Sequence, residues 1–134
     1  MTERTATCAC GRLQVRCLGE PVRISICHCL DCQKRTGSVF GMQARFPRET
    51  VSVASGQSKA FTRKADSGNT VTFHFCPECG STVYWELSGF PDVIAVAVGA
   101  FADPHFPSPK VSVYERSRHD WLGGLDADGM QHLA

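Results

Sequence analysis

The short segment Cys27-His28-Cys29-Leu30-Asp31-Cys32 constrains this chain more than any other. In an extended segment, residues i and i+2 point to the same face, so Cys27 and Cys29 direct their sulfurs to one point. A turn, or the first turn of a helix, brings Cys32 back beside them, because residues i and i+3 are neighbours there. Structural zinc sites use four protein ligands, whereas catalytic sites keep one position open. Three convergent thiols therefore predict a zinc site with an open position.

Two further cysteine pairs predict a second, closed zinc site. Cys8 and Cys10 form a C-x-C pair near the start, and Cys76 and Cys79 belong to a zinc-knuckle sequence that ends at Gly80. Four thiols satisfy tetrahedral zinc, and such a site can add ~10 kcal/mol or more of folding free energy. The metal would tie the N-terminal strand to a central hairpin. The alternative is two unrelated pairs of buried or redox-active cysteines.

Cys17 is the cysteine left over, and its role has several alternatives. It alternates with Leu13 and Val15, which places it in the core as a small hydrophobic residue. Alternatively, Cys17 completes the three-thiol segment as another closed site, or it is the reactive thiol of a sulfoxide reductase. For Cys29 and Cys32, a redox-active C-x-x-C is a further alternative, but the βαβ pattern of thioredoxin-like motifs is absent from the sequence.

Alternating hydrophobicity predicts a mainly β domain with at most one short helix. The predicted strands are residues 12–18, 22–27, 38–46, 51–53, 59–64, 70–76, 82–87, 93–98 and 110–114. In the second of these, Val22 is expected to point inward with the other apolar residues. Residues 30–36 are expected to form one or two helical turns that end at Gly37. Residues 123–134 are expected to form a loose tail.

Length and charge exclude several classes of protein. The 134 residues suit one domain over residues 1–134. A formal net charge of +1 gives no electrostatic footprint for nucleic acid or an anionic membrane. No apolar run approaches the roughly 20 residues of a membrane span, and the N-terminus lacks the apolar segment of a signal peptide. Eight cysteines without a secretory signal favour metal binding over disulfides, so a cytoplasmic protein is expected.

Other polar residues near the cysteines are weaker candidates. In an extended segment His28 faces away from the two neighbouring sulfurs, so a position beside the site or at the surface is favoured over a role as a fourth ligand. His74 is expected to be a partly exposed strand residue, although it shares a strand face with one knuckle cysteine. Lys34 and Arg35 have the charge to attract an anionic thiol substrate, but solvation at the surface is the favoured interpretation.

The ordered set of motifs resembles the family of glutathione-dependent formaldehyde-activating enzymes, which also includes a centromere-associated protein domain. The matching segments are residues 8–11, residues 27–37 with Phe40, residues 75–80, residues 99–104, and Ser117-Arg118 with Trp121. Together they span residues 8–121, nearly the whole chain. Each motif alone is common, but the three cysteine motifs in this order are specific.

The resemblance implies a β-tent fold of coiled antiparallel sheets closed by a Cys₄ zinc site. It implies two zinc ions per chain, a structural one on Cys8, Cys10, Cys76 and Cys79 and a catalytic one on Cys27, Cys29 and Cys32. It further implies a carbon–sulfur lyase that joins a small thiol, glutathione, to an aldehyde, formaldehyde, as S-hydroxymethylglutathione. A zinc-stabilised binding module without chemistry is the rival hypothesis from another class. The sequence assigns no general acid or base and predicts no oligomeric state.

Overall fold

Eleven β-strands and one α-helix form the described part of the chain, residues 1–124 and 129–134 of a computed structural model. The helix, α1, spans Leu30–Thr36. The strands are β1 (Glu3–Thr7), β2 (Gln14–Leu18), β3 (Arg23–Cys27), β4 (Gly41–Pro47), β5 (Val51–Ser55), β6 (Lys59–Lys64), β7 (Thr70–Phe75), β8 (Thr82–Leu87), β9 (Val93–Ala97), β10 (Val111–Val113) and β11 (Gln131–His132). Short 3-10 helices span Arg48–Thr50, Val98–Phe101, Glu115–Ser117 and Asp120–Gly124. This content confirms the predicted mainly β fold class with one short helix.

The strands form two sheets. The smaller sheet has the order β1-β2-β5 and is antiparallel throughout. The larger sheet has the order β11-β10-β3-β4-β9-β8-β7-β6, and it is antiparallel from β3 to β6. In contrast to the expected antiparallel pairing, β10 runs parallel to both β3 and β11. A long connection after β9 allows this, because parallel neighbours need a crossover rather than a tight hairpin.

The main hydrophobic core lies between the two sheets. The smaller sheet and its turns contribute Ala6, Leu13 and Val15, and the larger sheet contributes Phe46 and Val96; all five are 0% exposed. Complete burial of each large aliphatic or aromatic side chain stabilises the fold by about 1.5–3 kcal/mol relative to exposure. The alternation of β2 therefore predicted its core face correctly.

The opposite face of the larger sheet carries a second apolar cluster. Its buried members are Val71, Phe73, Trp85 and Ala95. Strand β9 serves both clusters, because Ile94 and Val96 belong to the main core while Ala95 belongs to the second. This second face forms the floor of the cavity described below.

Helix α1 begins directly after β3 and is bounded by two caps. The Cys29 Sγ accepts a hydrogen bond from the backbone N–H of Cys32 at 3.2 Å, as a serine or aspartate oxygen often does at this position. At the other end, Gly37 has φ of 69° and donates its N–H to the Gln33 carbonyl, a left-handed ending that suits glycine. The predicted helix and its end at Gly37 are confirmed.

Each predicted strand is present, with bounds that differ by a few residues, but two details differ. Strand β1 was not predicted, because its residues are mostly polar and only Ala6 is buried. The prediction that Val22 points inward is wrong, since Val22 precedes β3 and is 63% exposed.

The chain end differs in part from the expected tail. Within residues 123–134, the segment 125–128 lies outside the described residues, and Gln131–His132 forms β11 against β10. Elsewhere, no helix in the described part of the chain is long and apolar enough to cross a membrane.

Candidate metal centres and substrate cavity

Four cysteine sulfurs meet where two turns approach each other. One turn joins β1 to β2 and carries Cys8 and Cys10; the other joins β7 to β8 and carries Cys76 and Cys79. All four Sγ atoms lie within 4.8 Å of one another, with Cys8 to Cys10 at 3.6 Å and Cys10 to Cys76 at 3.7 Å. Both turns are held by local backbone bonds, including the Gly80 N–H to the Cys76 carbonyl at 2.8 Å. Four thiols at one point match the donor set of a closed zinc site.

Three further sulfurs meet at the junction of β3 and α1. Cys27 is the last residue of β3, Cys29 is the N-cap of α1, and Cys32 lies in its first turn. Their Sγ atoms lie within 4.8 Å of one another. The strand end and the helix start thus bring the predicted three thiols together. We call this set the three-thiol cluster.

The three thiols do not ionise alike. Hydrogen bonds from Cys27 and Cys32 lower the pKa of Cys29 to about 2. Contacts with Cys29 and Cys32, together with burial, raise the pKa of Cys27. Crowded thiols resist full ionisation because each new thiolate repels the others, and a cation placed among them removes this cost. The donor chemistry therefore fits zinc, which prefers sulfur and nitrogen ligands.

Cys17 belongs to neither set of converging sulfurs. It lies in the main core, 0% exposed, in the middle of the smaller sheet. Burial raises the pKa of Cys17 to about 12, so the unreactive thiol form predominates at neutral pH. The expected core position is confirmed, and neither completion of the three-thiol cluster nor a reactive-thiol role finds support.

The three-thiol cluster lines one end of a cavity of about 380 Å³. Ligand pockets commonly have about this size or more. The apolar floor of the cavity comes from the second cluster, chiefly Phe73 and Trp85. Its charged lining consists of Asp31, Asp66 and the four arginines Arg23, Arg35, Arg45 and Arg63.

Two of these arginines lie beside the thiols and the aromatic floor. The Arg35 guanidinium lies over Trp85, 4.5 Å from the ring centroid, and 5.1 Å from that of Phe73. Arg63 lies over Phe73 and forms an ion pair with Asp31 at 3.2 Å. The expectation that Arg35 is solvated at the surface is wrong, because its flat cation stacks on the aromatic rings.

Tyr114 lines the same cavity from the strand neighbouring Cys27. It follows β10 with φ of 55°, a left-handed conformation that costs a residue with a side chain roughly 1–2 kcal/mol. Such strain occurs most often at functional sites. Burial and the nearby carboxylate of Asp66, with smaller contributions from the thiols, raise the pKa of Tyr114. Its hydroxyl therefore stays protonated at neutral pH.

The model of the glutathione-dependent formaldehyde-activating enzyme family matches residues 3–117. The chain belongs to this family. Its sequence motifs over residues 8–121 and the family match cover nearly the same part of the chain, so the resemblance seen in the cysteine motifs is confirmed.

Two curated fungal relatives are similar to this family member over part of their length. A protein of Penicillium rubens is 28% identical over 96 residues, which cover 65% of this chain and 49% of that protein. A protein of Colletotrichum graminicola is 29% identical over 86 residues, 58% of this chain and 44% of that protein. Both are named "Putative glutathione-dependent formaldehyde-activating enzyme". The chain spans about half the length of these relatives.

A crystal structure of a Rhodobacter sphaeroides protein shares the fold of this family member. The two superpose with a TM-score of 0.57 at 18% identity, over 78% of this chain and 91% of the other. At this identity the likeness concerns the fold alone.

The two histidines considered from the sequence lie outside both cysteine clusters. His28 is 4% exposed, and its Nε2 lies 3.1 Å from the Ser112 Oγ, so it packs against β10 rather than lying at the surface. His74 is half-buried as expected, hydrogen-bonded to Glu86 and Ser58 and stacked on Tyr84. Its place is in the sheet, and it is not one of the converging ligands.

The sequence interpretation missed four residues of the cavity: Arg23, Arg45, Arg63 and Tyr114. Arg23 and Arg45 occupy the polar positions of alternating strands, which usually face solvent. A signal was present for Arg23, because it shares the face of Cys27, four residues along β3. Arg63 and Tyr114 come from distant segments that only the sheet order brings close.

Proposed function

We propose that this chain is a zinc-dependent carbon–sulfur lyase that acts on adducts of a small thiol with an aldehyde. The observation that carries the proposal is the three-thiol cluster, which lines a cavity and has no fourth ligand among the described residues. Zinc bound there would supply Lewis acidity and would stabilise a substrate thiolate at neutral pH. The second zinc, on Cys8, Cys10, Cys76 and Cys79, would be structural.

The reaction joins a thiol to a carbonyl carbon and is reversible. In the forward direction the thiol loses its proton, and its sulfur forms a bond to the aldehyde carbon as the carbonyl π bond breaks. The carbonyl oxygen takes up one proton, which balances the one lost by the thiol, and becomes the hydroxyl of the adduct. In reverse, the hydroxyl loses its proton, the carbonyl re-forms as the carbon–sulfur bond breaks, and the departing sulfur takes up a proton. No oxidant or reductant is needed, so the site has only to orient the two groups and stabilise charge.

Cavity residues suit these tasks. The three cysteines occupy the end where the substrate sulfur is activated, and Phe73 and Trp85 exclude water from one side. The protonated Tyr114 hydroxyl donates a hydrogen bond to the aldehyde oxygen as negative charge develops on it. A preorganised donor of this kind commonly contributes 10²-fold or more to rate.

The family name and the names of the fungal relatives support glutathione as the thiol and formaldehyde as the aldehyde. We treat residues 1–134 as one catalytic domain. Seven thiol ligands and one buried thiol require a reducing environment, and for this reason we place the protein in the cytoplasm.

The test is cleavage of S-hydroxymethylglutathione by zinc-loaded protein, measured as released formaldehyde. Wild type should accelerate the breakdown. The variant Cys29→Ser should lose about 100-fold or more in kcat/KM yet stay folded, because serine caps a helix well but is a poor zinc ligand. The control Cys17→Ala, outside both clusters, should keep its activity. Wild type that cleaves no thiol–aldehyde adduct faster than buffer would overturn the proposal and favour a binding module.

A further inference from the structure

The end of the cavity remote from the thiols holds two opposed arginines. Arg23 on β3 and Arg45 on β4 are direct partners in the register of the antiparallel pair, and both line the cavity. Like charges directly opposite each other on neighbouring strands destabilise a sheet. Arg23 lies four residues from Cys27 on the same strand face, which is about 13 Å along the strand.

Neither arginine forms an ion pair with a carboxylate in the described part of the chain. The Nε atoms of Arg23 and Arg45 are buried and have no hydrogen-bond partner among the described residues. The ion pairs of the described chain involve other arginines, such as Arg63 with Asp31 and Arg116 with Asp66. Arg45 lies over Phe90, at 4.7 Å from the ring centroid.

This arrangement is costly for the free protein. Burial and the charge of Arg23 lower the pKa of Arg45 to about 10, because both disfavour the second cation. A buried donor without a partner adds a further penalty. An anion between the two guanidinium groups removes both costs.

A third unpartnered group lies between the arginines and the thiols. Gln43 on β4 lines the cavity, and its Oε1 atom is buried without a hydrogen-bond partner among the described residues. It lies two residues from Arg45 and two from Gly41, the register partner of Cys27. The cavity floor therefore presents, in order, three thiols, a hydrogen-bond acceptor and a cationic pair.

We propose that Arg23 and Arg45 form a carboxylate-binding subsite that selects thiols carrying a carboxylate remote from the sulfur, with Gln43 accepting a hydrogen bond from an N–H between them. The planar guanidinium groups match a carboxylate with paired hydrogen bonds. The inference rests on the proposed function for the thiol end of the substrate. It adds the residues that would recognise the carboxylate of the thiol substrate, which the family name does not identify.

The test uses S-methylglutathione, which keeps both carboxylates but has no free thiol, so its binding does not depend on a metal-bound sulfur. Its affinity for wild type is compared by calorimetry with that of its dimethyl ester. We expect the ester to bind about tenfold or more weakly, and Arg45→Met and Arg23→Met to weaken S-methylglutathione by a similar factor. The ester should bind these variants and wild type alike. Arg16→Met, an equal charge change on the smaller sheet, is the control.

Thermal melting of the free variants separates a binding role from a structural one. If the pair exists for ligand binding, Arg45→Met should melt at the same temperature as wild type or higher, because like-charge repulsion is relieved. S-methylglutathione that binds no better than its ester, or variants that weaken both ligands equally, would overturn the subsite. These outcomes are distinct from failure of the proposed function. That failure would be seen as wild-type protein that does not accelerate formaldehyde release from S-hydroxymethylglutathione.

Discussion

Glu86 on β8 forms polar bonds to β7 and to the 3-10 helix Arg48–Thr50, so it connects three elements. One carboxylate oxygen accepts a hydrogen bond from Arg48 at 2.9 Å, and the other lies 2.9 Å from the His74 Nε2. Arg48 in turn donates to the Pro91 carbonyl at 2.7 Å. The hydrogen bond from His74, assisted by Arg48, lowers the pKa of Glu86 from its ordinary value despite partial burial.

The variant Glu86→Gln should therefore change how stability depends on pH. A carboxyl whose folded-state pKa is lowered stabilises the protein above its unfolded pKa and loses this effect as the pH falls through the lowered value. We expect the free energy of unfolding of wild type to exceed that of Glu86→Gln by about 1 kcal/mol or less at pH 7. The difference is small because the carboxylate is 37% exposed. The difference should shrink as the pH falls below the ordinary pKa of glutamate and should be lost below the lowered pKa of Glu86.

Urea unfolding at several pH values measures this difference. The matched control is Glu49→Gln, which removes an exposed carboxylate in the turn before β5. It should leave stability nearly unchanged across the range. A Glu86→Gln deficit that persists undiminished at low pH would show that packing, rather than the charge, explains the effect.

The convergence of the cysteine sulfurs could be predicted at the residue level because motif spacing is a local property, whereas their role as zinc ligands stays a prediction. The i, i+2 and i, i+3 positions of the three-thiol cluster follow from backbone geometry alone. The arginines of the cavity were missed because an alternating strand shows only which residues share a face. Whether the second face is covered or open depends on sheet order, and Arg23 and Arg45 face a cavity rather than bulk solvent.

At the scale of elements, the turn after β5 depends on a close approach of two backbones. Gly56 has φ of 81°, and a Cβ there would lie 2.2 Å from the Arg12 carbonyl oxygen, so a side chain would force the turn away from the β1–β2 segment. We expect Gly56→Ala to lower the free energy of unfolding by about 3 kcal/mol, from the left-handed strain together with the clash.

Gly68→Ala is the matched control for Gly56→Ala. Gly68 also has a left-handed φ, 92°, but a Cβ there would meet nothing within 4 Å. It should cost only the conformational strain, about 1–2 kcal/mol. Equal losses for the two variants in urea unfolding would mean that the contact with Arg12 has no energetic role.

The four-cysteine cluster connects the two turns that join β1 to β2 and β7 to β8. Because about 10 kcal/mol or more of folding free energy can depend on such a metal, Cys79→Ser should unfold or aggregate where wild type is stable. Cys29→Ser is the comparator, since it should lose one zinc per chain and remain folded. Melting temperature and zinc content check both variants. An unchanged melting temperature and full zinc content in Cys79→Ser would contradict the structural assignment.

Most elements were predictable because strand alternation and turn residues are local. Strand β1 could not be predicted, because its residues are mostly polar and one buried residue, Ala6, gives no alternating pattern. The parallel pairing of β10 with β3 was also beyond local pattern, since three residues cannot reveal their neighbour. That pairing matters, because it brings Tyr114 to the cavity beside Cys27.

At the scale of the whole molecule, the two faces of the larger sheet have different roles, one in the hydrophobic core and the other in the cavity. One face packs against the smaller sheet and forms the main core, beside the four-cysteine cluster. The other face carries the aromatic floor, the arginines and the three-thiol cluster. If both clusters bind zinc as we propose, stability and chemistry would depend on different metals, and each metal could be tested without the other.

The most direct test of the open site is the absorption spectrum of cobalt-substituted protein during titration with 2-mercaptoethanol. If the three-thiol cluster holds a metal with an exchangeable position, a substrate thiolate should bind there and increase thiolate-to-metal absorption. Ethylene glycol, with oxygen in place of sulfur, should produce no such increase, and Cys29→Ser should not respond to the thiol. A wild-type spectrum that 2-mercaptoethanol leaves unchanged would contradict the open position and, with it, the proposed catalytic role.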